Sequence, residues 1–445
     1  MTPRSVPPQA ALDTLRRHVR LDGFDLVLDL GRSSGSTLVD ARDGAEYLDL
    51  MTFSGSLPLG MNHPDMAQDA RFMADLAQAA LHKVTNPDIY TAEYARFVDT
   101  FTQVLGDPAL PHLFFIDGGA LAVENALKTA FDWKARRTGA TSGDGLSALH
   151  LEGAFHGRSG YTLSLTNAGD RAVTDLYPAL RWPRIPTPGL RFPLEEHAGQ
   201  VRDAEAEALR AARRHFAEHP GRIACFIAEP VQGAGGDVHL SSGFLYAMQE
   251  LCREHDALFV LDEVQTGCGM SGSAWCYQRL GLEPDVVAFG KKTQVCGIMA
   301  GRRVDGVPEN ALAVSSRLGS TWGGNLVDMV RATRILEIVE DQSLIVEADR
   351  KGAGLLARLR AVAAAHPEHV SNVRGRGLIC AFDMPDGPTR DEVLSRLRTE
   401  ERVLLLPGGE RGIRFRPSLA VSRDDLERGA EAIDRTLAKV EEHRC

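Results

Sequence analysis

Residues 257–292 read ALFVLDEVQTGCGMSGSAWCYQRLGLEPDVVAFGKK, and they decide the fold class. The stretch opens with one apolar run, ALFVLDEV (257–264), and closes with another, PDVVAFGKK (284–292). Neither alternates apolar with polar residues, as a strand with one wet face does; continuous apolar character belongs to strands covered on both faces. Outward from there, LPHLFFID (110–117), LSALHLEG (146–153) and RIACFIAEP (222–230) have the same form, and helical spacing runs through 121–137, 201–219 and 243–256. Such strands alternating with helices predict an α/β fold on a mostly parallel sheet. Residues 167–198, rich in Pro and Arg and weakly periodic, read as a long surface excursion. Upstream, GSTLVDARDGAEYLDL (35–50) reads as two short strands around a DG turn. Beyond about residue 330 come two helices, RGLICAFDMP (376–385), a further helix, VLLLPGG (403–409) and IRFRPSL (413–419), the pattern of a smaller α+β domain.

At 445 residues the chain is longer than one hydrophobic core usually serves. Its 44 % hydrophobic and 25 % charged residues are globular proportions, which sets aside disordered and fibrous classes. A formal net charge of −10 with no Lys/Arg run argues against a phosphate-backbone binder, so no nucleic-acid partner is expected. No apolar stretch approaches the roughly 18 residues of a membrane span. The N-terminal MTPRSVPPQAALDTLRRHVR lacks the apolar core of a signal peptide, so a cytoplasmic location is expected. Seven scattered cysteines (225, 252, 268, 276, 296, 380, 445) include no CxxC pair, and no HExxH is present; neither a disulfide framework nor a metal is expected.

In an open α/β sheet, ligands bind beyond the carboxyl ends of the strands. Those ends here carry Asp117-Gly118-Gly119, Gly153-Ala154-Phe155-His156, Glu229, Asp262-Glu263 and Lys291. Lys291 reads as solvated surface, as Lys292 beside it also does, or as a Schiff-base lysine; a P-loop is excluded because residue 285 is Asp rather than Gly. Asp262 ends a buried strand, where a carboxylate needs a cationic partner, structural or belonging to a cofactor ring. Gly118-Gly119-Ala120 precedes a helix whose free N–H groups suit an anion, or simply makes a tight turn. Phe155 is a stacking ring or core, Arg158 an anion clamp or surface, Thr321 a phosphate hydroxyl or a helix cap. Arg414-Phe415-Arg416 either presents a guanidinium to a carboxylate or is an alternately charged edge strand.

The order of these elements resembles the class III (omega) aminotransferases among the fold type I pyridoxal-phosphate enzymes. The stretches GGALAVENALKTAFDWK (118–134), AFHGRSGYTLSLTN (154–167), DEVQTGCGMSGSAW (262–275) and AFGKKTQVCGIMAGRRVD (288–305) are most similar to the bacterial L-lysine epsilon-aminotransferases. The resemblance implies a small domain made from both chain ends (1–60 and 331–445) around a large cofactor-binding domain (61–330). It also implies pyridoxal 5'-phosphate as cofactor, held by Lys291 through a Schiff base. Asp262 would meet the pyridine nitrogen, Gln265 the ring's 3-oxygen and Phe155 the ring face. Gly119 and Ala120 would hold the phosphate, with Thr321 reaching in from the other subunit of a homodimer. Glu229 would belong to the same cofactor site, and Arg158 and Arg414 would bind substrate carboxylates. The implied reaction moves the epsilon-amino group of L-lysine to 2-oxoglutarate, giving glutamate and a semialdehyde that cyclises.

Two positions depart from that pattern. Ala234 stands where the family usually has a glutamate that masks the arginine matching Arg414, and Gly319 replaces an Asn beside the substrate. Both changes remove polar atoms, and they keep open another omega-amino donor: ornithine, a beta-amino acid or a diamine. A pyridoxal-phosphate-binding regulatory protein is the non-enzymatic alternative.

Overall fold

The structure is a computed structural model and describes residues 5–169 and 174–442. Cys445, the outermost residues of both end segments and part of the 167–198 stretch lie outside those residues. The run 257–264 forms the strand Leu258–Asp262 within a seven-stranded sheet. Across that sheet the order is His112–Ile116, Cys296–Ala300, Val286–Phe289, Leu258–Asp262, Ile223–Ala228, Ser147–Leu151, Arg184–Ile185. The last five are parallel, while Cys296–Ala300 runs antiparallel to both neighbours.

Burial explains the continuous apolar runs. Phe259, Leu261, Val287 and Phe289 enter one cluster with side chains of the helices Ala92–Leu105, Leu194–Glu218, Ser242–Glu254 and Leu326–Asp341. Leu258, Val260, Val286 and Ala288 point the other way and pack under the helix Gly119–Thr138. Each large side chain so buried contributes roughly 1.5–3 kcal/mol relative to exposure.

The surface reading of 167–198 is corrected. Arg184–Ile185 pairs in parallel with His150–Leu151 as the edge strand of the large sheet, and Ile185 is fully buried. Two paired residues are too few to make an apolar run, and the flanking Pro183 and Pro186 are tolerated because the strand lies at an edge. The helix Leu194–Glu218 also begins inside the stretch, after Pro193.

A second, antiparallel sheet is ordered Ser371–Arg376, Ile379–Asp383, Gly412–Phe415, Leu406–Gly408. Gly412–Phe415 is therefore an interior strand, which removes the edge-strand account of its charges. The hairpin Thr37–Val39 and Glu46–Asp49 pairs in parallel with Val403–Leu404, so segments from opposite ends of the chain share a sheet. Among the described residues, no helix is long and apolar enough to cross a membrane.

The helix Leu344–Ala365 crosses the turn before Ile379–Asp383 so closely that a Cβ at Gly352 would collide with the backbone of Gly377. Gly352→Ala should therefore destabilise the protein by ~1–3 kcal/mol, since neither backbone can yield cheaply. A lower urea midpoint with an unchanged slope is the expected result; an unchanged midpoint would remove this contact as a constraint.

Candidate active site

A cavity of about 560 Å³ opens where the carboxyl edge of the large sheet meets the Gly412–Phe415 strand. Gly119, Ala120, Phe155, Arg158, Glu229, Asp262, Gln265, Lys291 and Arg414 all line it. Of the residues that the resemblance assigns to cofactor or substrate, only Thr321 does not. It is exposed on the loop after Ser320, whose hydroxyl accepts from Gly323 N–H at 2.9 Å. Nor does Thr321 cap a helix, because Asn325 caps Leu326–Asp341.

Asp262 is the last residue of its strand, and its partner is a histidine. Asp262 Oδ2 lies 2.8 Å from His156 Nδ1, and Oδ1 accepts from Val264 N–H at 3.1 Å. Burial works against a charged imidazole here. The hydrogen bond and charge of Asp262, helped by the charge of Glu229, more than offset it, and the His156 pKa lies above its ordinary value. His156 Nε2 is buried without a partner, so Nδ1 carries the proton that Asp262 receives. Glu229 Oε1 accepts from Phe155 N–H at 2.9 Å and so fixes the backbone beneath that ring. Burial, with the Asp262 charge adding to it and His156 opposing, pushes Glu229 up to about 7.

Lys291 faces these carboxylates from the next strand. It follows Phe289-Gly290 and has φ +56°, an unfavourable conformation for a long side chain that aims it into the cavity. Its Nζ donates to Ser54 O at 3.3 Å. Burial, then the charges of Arg414 and Arg416, pull its pKa down to about 8. Lys292 is not surface but 2 % exposed; its Nζ donates to Gln265 O at 2.9 Å and burial lowers it to about 7. It does not line the cavity.

The opposite wall holds the arginines. Arg414 Nε donates to Pro407 O at 2.8 Å, and its Nη1 is buried without a hydrogen-bond partner. Burial, then Arg416, lowers the Arg414 pKa to about 10. Arg416 is 1 % exposed; Nη1 and Nη2 donate to the two oxygens of Asp237 at 2.8 and 2.5 Å, and Nε donates to Gln265 Oε1 at 3.1 Å. Gln265 Nε2 also reaches Ser54 O, at 3.4 Å. Arg414 is thus not without a carboxylate neighbour, since its Nη1 lies 4.0 Å from Asp237 Oδ1. Across the mouth, Arg158 sits with its guanidinium carbon 5.7 Å from the Phe155 ring centroid.

At one end of the cavity the helix Gly119–Thr138 begins after Gly118, whose φ of +99° glycine alone adopts readily, and no side chain caps its first turn. Its 20 residues direct unpaired N–H groups and a positive dipole end at the cavity. The donor set therefore fits a phosphorylated aromatic aldehyde: an amine that is neutral near pH 8, an aromatic face, a buried carboxylate for a ring nitrogen and an uncapped helix start for a dianion.

Three contributors escaped sequence reasoning. His156 was noted at a strand end, but nothing local told that it would meet Asp262, 106 residues away. Ser54 acts through its carbonyl, which no side-chain motif records. Asp237 directly follows the glycines 235–236, and only its burial against Arg416 marks it.

The family profile described as aminotransferase class-III matches residues 22–437. The L-lysine-epsilon aminotransferase of Amycolatopsis lactamdurans is 58 % identical over 426 residues, spanning 95 % of this chain and 94 % of that protein. The same-named protein of Streptomyces clavuligerus is 56 % identical over 430 residues, spanning 96 % and 94 %. Among solved structures, the lysine aminotransferase from M. tuberculosis in the internal aldimine form superposes with a TM-score of 0.95 at 54 % identity, covering 98 % of this chain and all of that one.

The amine environments yield a pH prediction. An amine attacks only when neutral, and Lys291 becomes neutral as pH rises through about 8, well below the ordinary lysine value. In ligand-free protein, reductive alkylation by a small aldehyde should rise with pH to a plateau with a midpoint near 8. Peptide mapping should find Lys291 and not Lys292, because only Lys291 reaches the cavity. Modification of Lys292 ahead of Lys291 would contradict the assignment.

Proposed function

Since the chain belongs to the class III aminotransferases, pyridoxal-phosphate-dependent enzymes, we propose that it transfers the epsilon-amino group of L-lysine to 2-oxoglutarate. The products would be L-glutamate and 2-aminoadipate 6-semialdehyde, which cyclises. The observation that carries this reading is the buried amine of Lys291 in one cavity with the Asp262–His156 pair and the Arg414 guanidinium. The similarity of the chain to lysine enzymes over nearly its whole length supports the choice of donor.

When bound, pyridoxal phosphate supplies an aldehyde that captures amines and a protonated ring that draws electrons from the substrate carbon. Lys291 would hold the cofactor covalently and, once released, move a proton as general base, a task suited to an amine with a pKa of about 8. Asp262, itself oriented by His156, would keep the ring nitrogen protonated. The N–H groups at Gly119 and Ala120 would take the phosphate, Phe155 would stack on the ring, and Gln265 would meet its 3-oxygen. Glu229 would hold the Phe155 backbone, and Arg158 and Arg414 would orient substrate carboxylates. Thr321 would serve the partner's cofactor in a homodimer. The exposure of Trp322 beside it, and of Ile89 and Tyr90 in the segment tied to it through Asn86, gives a partner apolar surface to cover.

Incubated with L-lysine and 2-oxoglutarate, the purified holoenzyme should form glutamate faster than with ornithine, a beta-amino acid or a diamine. Asp262→Asn should retain the fold and lose about a thousandfold in kcat, because a neutral amide cannot hold the ring proton. Near-wild-type turnover would refute that role.

A second expectation concerns Ala234, which lines the cavity. A carboxylate introduced there would pair with Arg414 and compete with the alpha-carboxylate of glutamate. Ala234→Glu should therefore slow the glutamate half-reaction relative to the lysine one in single-turnover absorbance traces. An unchanged ratio would mean that residue 234 does not act on Arg414.

A further inference from the structure

Two guanidiniums lie two residues apart, Arg414 lining the cavity and Arg416 just behind it, and only Arg416 is hydrogen-bonded to a carboxylate. Asp237, fully buried, binds Arg416 through both oxygens and stands 4.0 Å from Nη1 of Arg414. Its own backbone is fixed: Arg374, 3 % exposed, donates from Nε to Asp237 O at 2.9 Å and from Nη2 to Gly236 O at 2.5 Å, while also pairing with Asp383. The carboxylate thus cannot drift from its post between the two arginines without breaking a buried network.

We infer that Asp237 is a specificity-determining positioning residue: by neutralising Arg416 it leaves Arg414 as the free guanidinium of this wall. The inference rests on the reading of Arg414 as a substrate-carboxylate group. Charge bookkeeping gives its physical content. Asp237 and Arg416 together are neutral, so the wall carries the single positive charge of Arg414. Remove the carboxylate and the wall carries two charges. Remove Arg416 instead, and the freed carboxylate has its nearest cation 4.0 Å away in Arg414, which it then masks. Replace both by amides and the wall returns to one charge with Arg414 free. Because residue 234 is Ala, Asp237 is the carboxylate that sets how strongly this wall attracts an anion.

The test uses the cofactor-loaded enzyme and glutarate, an unreactive dicarboxylate, titrated by calorimetry and by the absorbance of the bound cofactor. Asp237→Asn should bind glutarate about tenfold more tightly than wild type and Arg416→Gln about tenfold more weakly, with the double variant within about threefold of wild type. If Asp237→Asn does not fold because it leaves Arg416 unpaired, the double variant, which strands no buried charge, remains decisive: adding Asp237→Asn to Arg416→Gln should recover binding. A purely structural pair predicts the opposite order, with wild type tightest and the double variant no better than Arg416→Gln; that order would overturn the inference. Arg414→Gln separates the premise from the inference. If it binds glutarate as well as wild type, the role given to Arg414 fails and the inference with it; if it does not bind while the other variants depart from the charge order, the inference alone fails.

Discussion

The site depends on one buried carboxylate–imidazole hydrogen bond that the fold makes obligatory. Asp262 ends a strand covered on both faces, 5 % exposed, where a lone carboxylate is held at high energy. His156, fully enclosed, meets it at 2.8 Å. Breaking a buried pair by removing one partner typically costs ~3–5 kcal/mol, because the other charge is left stranded. The pair also explains its surroundings. Glu229 lies close enough for the Asp262 charge to raise its pKa, and the same carboxylates temper the loss of basicity at Lys291 that burial and two arginines impose. Carboxylates come from the strand ends and guanidiniums from the opposite wall, with the amine between them.

That opposition follows from chain topology. The strands ending at Ala228, Asp262 and Phe289 are locked by parallel pairing and by clusters on both faces, so groups at their ends inherit a rigid position. The facing wall is built from distant pieces. Arg414 and Arg416 follow from a strand paired to Ile379–Asp383 and Leu406–Gly408, and Ser54 comes from a segment with four consecutive positive-φ residues, Thr52, Phe53, Ser54 and Gly55. Thr52 Oγ1 donates to Arg416 O at 2.6 Å, and Arg416 N–H donates to Leu50 O at 2.7 Å. Residues near 50 and near 416 are therefore welded together, and the amine of Lys291 bonds to a carbonyl of that weld.

What the sequence made legible divides along the same line. Five of the six longer strands of the large sheet were readable because two-sided burial forces continuous apolar runs, and the residues at their ends could be read forward into a single site; Cys296–Ala300, with a glycine inside it, was not read as a strand. Arg184–Ile185 escaped because two residues carry no period, and Lys292 was misread because a buried lysine satisfied by the Gln265 carbonyl looks in sequence like any other lysine. The Asp262–His156 and Asp237–Arg416 contacts join residues 106 and 179 positions apart, and local spacing holds no information at that range. The motif resemblance supplied Gln265, but not the reason for its orientation, which is the Nε of Arg416.

The division also bears on how such a site can change donors. On the proposed function, chemistry at the cofactor would require the strand-end set, and altering Asp262 or Lys291 would remove turnover whatever the substrate. On the same reading, binding of substrate carboxylates would depend on the net charge and free edges of the opposite wall, where single residues shift the balance. Residue 234, an alanine, offers that wall no carboxylate, and Asp237, already committed to Arg416, supplies only a partial counter-charge to Arg414 at 4.0 Å. Gly319 belongs to a loop that lines no part of this cavity, so the wall facing the strand ends is built without it. The strand ends thus carry the carboxylates and the amine, while the facing wall carries the guanidiniums that suit an anion.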